Sequence, residues 1–294
     1  MMRSILQSSL ALLMAACAGT GGPASVHSCA DAPAASAMAR PFYIIGHNPN
    51  TVESARTFLA IGANALEPDL RYVDGEIRVH DQVIVLGTRI RWPLFDGPGP
   101  TLREYLRELD AQLQVPGSPQ PALIAWDLKP PFELAWMREA VQTIRRDFGE
   151  SHRDVAMAFT IGAPEARDEG LDVLKRLAAE LVVGEGIGVD DYTSPQLAEL
   201  AFRPTGKPYM FADHQKVAAV CDAIARRDRG QSFRIVYAWT VNQADDMRKF
   251  LALGVDGMIV DQAAVGTLRD LLAAPVNAGR FRLATPADRP FAAK

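Results

Sequence analysis

Apolar residues recur along the chain from residue 41 in short, dense runs: FYIIGH, ANALEPDL, ALIAWDLK, VAMAFTIG, LVVGEGIG, KPYMFAD, FRIVYAWTV and GMIVD. Runs of this length, rich in Val, Ile, Phe and Tyr, predict β-strands. Because they are close to continuously apolar, they predict strands buried on both faces of a parallel sheet. Between most of them the apolar positions fall at helical spacing. Helices are expected over 52–63, broken near the end by Gly62, and over 101–113, 133–148, 168–180, 195–202, 216–229, 244–253 and 264–273. Thr101 with Glu104 three residues on predicts a capping box at the start of the second. Eight strands that mostly hand on to helices close most simply into an α/β (β/α)8 TIM barrel in a single domain. An open doubly wound sheet is the alternative, and no GxGxxG turn supports it.

The N-terminus has a different pattern. MMRSILQSSLALLMAACAGTGG carries one Arg, an apolar run from Leu10 to Ala16 and then small residues, which predicts a secretory signal peptide over 1–17. The run is too short for a permanent membrane anchor. LLMAAC also resembles a bacterial lipoprotein box, so two outcomes stand: ordinary cleavage, giving a secreted or periplasmic protein, or an outer-membrane lipoprotein anchored through Cys17. Residues 18–40, rich in Ala, Gly, Pro and Ser, read as a flexible leader, and residues 41–294 as the barrel domain. Of the three cysteines, Cys29 and Cys221 have an oxidising compartment in which to pair. Since Cys29 falls in the leader, the favoured expectation is that Cys221 is an unpaired, buried helix residue.

The chain has 294 residues, 48% hydrophobic and 22% charged, with a net charge of −4. One large core fits that length, and the lack of a basic excess speaks against nucleic acid as a partner. A monomer is expected.

In a barrel of this kind chemistry gathers at the C-terminal strand ends. His47 stands there on the first strand, Glu67 and Asp69 on the second, then His80 and Asp81, Asp127 and Lys129, Asp213, Tyr237, Trp239 and Asn242, and Asp261. Alternate strand residues share a face, so Glu67 and Asp69 point the same way, as do Asp127 and Lys129. Three carboxylates converging in a closed interior repel one another unless a cation holds them. Oxygen donors without a thiol point to a hard ion, Mg2+ by preference, with Ca2+ as the alternative. Two histidines beside such an ion can divide acid and base work on a phosphodiester. Each feature also has a plainer reading: a hydrogen-bonded structural His, a solvated edge-strand face, a simple Asp127–Lys129 ion pair, a core Trp239. Their co-occurrence at consecutive strand ends favours a catalytic site. His27 lies in the leader and His152 in a loop, while His214 after Asp213 reads as a helix-start neighbour.

The run from GHN through GANALEPDLRYVDGEIRVHD resembles the N-terminal signature of glycerophosphodiester phosphodiesterases, a TIM-barrel superfamily with a Mg2+ or Ca2+ site. WDLKP, VYAWTVNQADDMRKFLALGVDGMIVD and the ending ATPADRPF resemble its sphingomyelinase D / phospholipase D branch, known from spider venoms, bacteria and fungi, and here read as a bacterial member. That resemblance implies a phospholipase D cleaving choline from sphingomyelin or lysophospholipids at a membrane or lipoprotein surface, by attack of a substrate hydroxyl to give a cyclic phosphate. It implies His47 and His80 as the catalytic pair and Glu67, Asp69 and Asp127 as metal ligands. Lys129, Trp239, Tyr237, Asn242, Asp213 and Asp261 would bind substrate. It also implies that the tail 279–294 packs on the barrel base, where Thr285 and Asp288 bond backbone. There are departures: Arg289 and Phe291 stand for Asn and Trp, Asn242 for Asp, Asp261 for Asn, Ala238 for an aromatic, and the loop after His80 lacks cysteines. Val83, Ile84, Val85, Ile90, Trp92 and Leu94 in that loop are expected either to touch the lipid interface or to pack as a lid. Two other functions stand beside this one: a glycerophosphodiesterase taking soluble, deacylated diesters, and a non-catalytic barrel that only binds.

Overall fold

The computed structural model describes Cys29 and residues 39–85, 88–92, 99–190, 209–212, 217–230 and 233–291. Its strands are β1 (Arg40–His47), β2 (Ala65–Glu67), β3 (Asp69–Val73), β4 (Glu76–Val79), β5 (Asp81–Val85), β6 (Thr88–Trp92), β7 (Leu123–Leu128), β8 (Ala156–Gly162), β9 (Glu185–Asp190), β10 (Tyr209–Ala212), β11 (Phe233–Ala238), β12 (Gly257–Val260) and β13 (Phe281–Leu283). The helices are α1 (Val52–Ile61), α2 (Leu102–Leu113), α3 (Leu134–Ile144), α4 (Ala163–Glu180), α5 (Val217–Asp228), α6 (Ala244–Leu253) and α7 (Val265–Ala273).

The parallel pairings form a closed ring. β1 pairs with β2, β2 with β7, and β7 with β8; β9, β10, β11 and β12 follow in turn, and β12 returns to β1. This is the expected eight-stranded parallel barrel. Along β1 the side chains alternate as the pleat requires. Phe42 and Ile44 face outward into the layer under the helices, while Tyr43 and Ile45 face the barrel interior. The interior is filled largely by small or branched residues, among them Ala65, Ala125, Ala158, Ile235 and Ile259. Phe291 closes it from the tail, buried in the same cluster. Gly186 makes room there, since a β-carbon on it would stand 2.7 Å from the Phe291 ring. The Phe291 carbonyl accepts from the Gly184 amide at 3.3 Å. Asp288 accepts from the Thr285 amide at 2.7 Å and pairs with Arg282, holding the turn before Phe291.

The expected capping box is present: the Thr101 hydroxyl accepts from the Glu104 amide and the Glu104 carboxylate from the Thr101 amide. Gly62 ends α1 in the left-handed conformation. Elsewhere the structure departs from the sequence expectations. α4 starts at Ala163 rather than 168, and α3 gives way to a π-turn over Arg145–Gly149. The stretch after His80, expected as a loop, contains the antiparallel hairpin β5–β6. β4 folds back on β3 through Asp74 and Gly75, both at positive φ, the backbone that a two-residue Asp-Gly turn adopts. The helix expected over 195–202 lies outside the described residues, as do residues 1–28 and most of the leader.

The cysteine expectation is corrected. Cys29 and Cys221 form a disulfide, with Cα atoms 5.3 Å apart, inside the span such a bond bridges. Cys221 lies on α5, so the bond ties the segment before the barrel to an outer helix across a sequence separation of 192.

Candidate active site at the mouth of the barrel

Strand register brings the candidate residues to one end of the barrel. His47, the last residue of β1, lies opposite Glu67, the last of β2. Pro68 then interrupts the ladder, since proline has no N–H to donate. β3 resumes with Asp69 opposite Asp127 on β7, and Asp127 lies opposite Thr160 on β8.

Glu67, Asp69 and Asp127 are all buried, and each offers a carboxylate oxygen within 4.8 Å of the other two. All three are oriented by neighbours. Asn50 grips Asp69 twice: its Nδ2 donates to Asp69 Oδ2 at 2.7 Å, and its Oδ1 accepts from the Asp69 amide at 2.9 Å. Thr160 Oγ1 donates to Asp127 Oδ1 at 3.2 Å. The Asn48 amide donates to Glu67 Oε2 at 3.3 Å. Lys129 Nζ stands 3.0 Å from Asp69 and 2.5 Å from Asp127.

One ammonium against three carboxylates leaves an excess of negative charge in a buried place. Burial, reinforced by the charges of Asp69 and Asp127, holds Glu67 well above the usual carboxylate range. Burial likewise pushes Asp69 up to about 6, against the opposing pull of Lys129. Burial works against the charge on Lys129, but Asp127 and Asp69 overcome it and keep the ammonium protonated. A divalent cation meets this need: three hard oxygen donors converge within reach of one ion, and its charge offsets the burial and repulsion that raise Glu67 and Asp69.

Each of the two histidines has Nδ1 against an oxygen. His47 Nδ1 is 2.8 Å from Asp261 Oδ1. Asn242 holds Asp261 from behind, donating from Nδ2 to Oδ2 at 2.5 Å and accepting the Asp261 amide on Oδ1 at 2.8 Å. The His47 bond keeps the Asp261 carboxyl below its usual range. His80 is buried. Its amide donates to the Asp69 carbonyl at 3.1 Å and its Nδ1 faces the Asp81 carbonyl at 3.0 Å. Because a carbonyl only accepts, His80 Nδ1 carries the hydrogen, which places the neutral ring's lone pair on Nε2.

The structure thus joins Glu67, Asp69, Asp127 and Lys129 in one cluster and anchors His47 to the Asp261 carboxylate and His80 to the Asp81 carbonyl beside it. Asn242 and Asp261, expected to bind substrate, are bonded to each other, and Asp261 to His47. Trp239 is half-buried at the rim of the interior cluster, and Tyr237 is buried inside it with Tyr43 and Ile45. Asp213 lies outside the described residues, as do the side chains expected to form a lipid-facing lid. Sequence reasoning missed Asn50 and Thr160. The only signal for Asn50 was its place three residues after His47.

Comparisons with known proteins bear on the fold and on sequence likeness. A family model described as Dermonecrotic toxin SPH matches residues 196–291. The chain is 26% identical to a dermonecrotic toxin of Hemiscorpius lepturus, over 86% of this chain and 84% of the toxin. It is 27% identical to one of Loxosceles spinulosa, over 85% and 98%. Solved structures of similar fold include a phosphodiesterase from Oleispira antarctica in complex with the product sn-glycerol-3-phosphate, at a TM-score of 0.56 and 17% identity, covering 80% of this chain and 98% of that one. A glycerophosphodiester phosphodiesterase from Parabacteroides distasonis gives a TM-score of 0.55, again at 17% identity, over 80% and 98%. The barrel fold expected from the strand pattern is shared with these structures, and the sequence likeness is to the dermonecrotic toxins.

Proposed function

We propose that this chain is an exported, divalent-metal-dependent phospholipase D of the sphingomyelinase D type, which releases choline from sphingomyelin or lysophospholipids at a lipid surface. The observation that carries the reading is the buried Glu67–Asp69–Asp127 cluster with two histidines at its edge, each held through Nδ1. Likeness to the dermonecrotic toxins supports the substrate class. The disulfide supports export, since such bonds persist in oxidising compartments. No helix among the described residues is long and apolar enough to cross a membrane.

Mg2+, with Ca2+ as the alternative, would be held by the three carboxylates and would supply Lewis-acid polarisation of a phosphoryl oxygen. Lys129 adds a fixed positive charge beside Asp127 for the same phosphate. A hydroxyl of the lipid attacks phosphorus, a new P–O bond forms, and the P–O bond to choline breaks. His47, whose Nδ1 faces a carboxylate, takes the hydroxyl proton on Nε2. Asp261 stabilises the resulting imidazolium. His80 acts as the imidazolium: its Nδ1–H stays on the Asp81 carbonyl and its Nε2–H goes to the departing choline oxygen. Trp239 at the rim offers a π-face to the quaternary ammonium. The products are a cyclic phosphate and choline.

The second reading, a glycerophosphodiesterase on soluble diesters, is favoured by the fold shared with the sn-glycerol-3-phosphate complex. Choline release from sphingomyelin vesicles by wild type and His47→Asn separates the outcomes. Release that stops with chelator and with the substitution supports the proposal, and full activity of His47→Asn refutes the catalytic assignment.

A further inference from the structure

β3 acts as a spine for both sides of the site. The Asp69 carbonyl accepts the His80 amide at 3.1 Å, and the Leu70 carbonyl accepts the Lys129 amide at 2.9 Å. The next residue, Arg71, continues the pattern with its side chain. Its Nη2 meets Asp81 Oδ1 at 3.3 Å, one residue beyond His80. Its Nη1 donates to the Pro130 carbonyl at 3.2 Å, one residue beyond Lys129.

This guanidinium is placed at a cost. Its side chain is only 8% exposed, and its Nε is buried with no hydrogen-bond acceptor. A buried cation with an unsatisfied donor is destabilising relative to a packed apolar residue. A planar, always charged fork is nonetheless the side chain that can hold a carboxylate and a carbonyl at fixed separation. Both arms end on residues adjacent to site residues.

We infer that Arg71 is a positioning residue, a buried strut that fixes the His80 turn against the Lys129 turn through Asp81 and Pro130. The inference rests on the catalytic reading of His80 and Lys129 given above. Arg71 touches no reacting atom. It sets the distance between a proton-transferring ring and a phosphate-facing ammonium, and misplacement of about 1 Å at such a site costs on the order of 100-fold in rate.

Two readouts on full-length exported protein test this. The first is choline release from sphingomyelin vesicles by Arg71→Gln, with Arg71→Lys as the conservative variant. The second is acylation of His80 by diethyl pyrocarbonate, mapped by peptide mass, with His152 as internal control because its ring is bound to Asp110. We expect Arg71→Gln to lower kcat about tenfold or more at an unchanged KM, to speed acylation of His80 several-fold, and to leave His152 unchanged. Arg71→Lys keeps a charge but loses the fork, and falls between. Wild-type kcat and wild-type His80 acylation in Arg71→Gln overturn the inference. So does equal acceleration at His80 and His152, which means general loosening. If Arg71→Gln does not fold, Arg71→Lys carries the same comparison. If the wild type releases no choline, the catalytic reading fails, and the His80 to His152 acylation ratio still decides whether Arg71 holds the turn.

Discussion

His47 Nδ1 lies 2.8 Å from Asp261 Oδ1, although the two residues are 214 positions apart. β1 and β12 are neighbours in the closed barrel, so the first and last strands of the ring meet at their C-terminal ends. Asn242 bonds the far oxygen of Asp261 and its amide, so the carboxylate has one orientation. Asp261→Asn keeps the shape but removes the charge that stabilises the His47 imidazolium. The expected result is a fall in kcat of about 10²-fold or more with little change in KM, measured by choline release. An unchanged kcat would show that Asp261 only fills space.

The acidic cluster sets function against stability. With no cation bound, Glu67 must stay protonated or bear repulsion from Asp69 and Asp127. Glu67→Gln removes that conflict. The metal-free variant should melt about 2–4 °C higher than metal-free wild type, the shift that about 1 kcal/mol gives in a domain of this size. Added Mg2+ should then raise the Tm of wild type and not that of the variant. A lower Tm in metal-free Glu67→Gln contradicts the electrostatic account.

The Cys29–Cys221 bond closes a long loop and so restricts the unfolded chain. Cys29→Ser should lower stability by about 2–4 kcal/mol, read as a denaturant midpoint, and reductant should remove the difference between variant and wild type. Protein lacking residue 29 should behave like the variant. Equal midpoints under oxidising conditions would mean the bond contributes nothing.

Asp288 gives a pH signature at the tail. Arg282 and the Thr285 amide hold its carboxyl below the usual range. A lowered folded pKa means stabilisation that is complete above the unfolded value, near 4, and is lost as pH falls through the folded value. The stability gap between wild type and Asp288→Asn should be on the order of 1 kcal/mol or less at pH 7, since the pair is partly solvated. It should close below about pH 4. A gap that widens in acid contradicts the sign.

The barrel was legible because each buried strand is a short apolar run. The eight runs from FYIIGH to GMIVD all contain strands of the ring. The convergence of Glu67, Asp69 and Asp127 was legible because alternate strand residues share a face, and the place of His47 because it ends β1. The hairpin β5–β6 was not, because it stands outside the strand–helix alternation of the ring, as a separate two-stranded sheet. Asn50 and Arg71 were not, because their importance lies in partners brought by other strands: Asn50 bonds Asp69 across a turn of the fold, and Arg71 reaches Pro130 from 59 residues away. The disulfide was missed for the same reason. The composition around Cys29 is that of a leader, while its partner is set by where α5 packs.

The most direct test of the central claim is phosphorus NMR on the purified protein, beginning upstream of Cys29, with Mg2+ and with sphingomyelin, lysophosphatidylcholine and glycerophosphocholine supplied separately. The account predicts a cyclic-phosphate signal from sphingomyelin or lysophosphatidylcholine, abolished by chelator and absent with His47→Asn. Glycerol 3-phosphate from glycerophosphocholine, with both lipids intact, would contradict it and assign the site to soluble diesters.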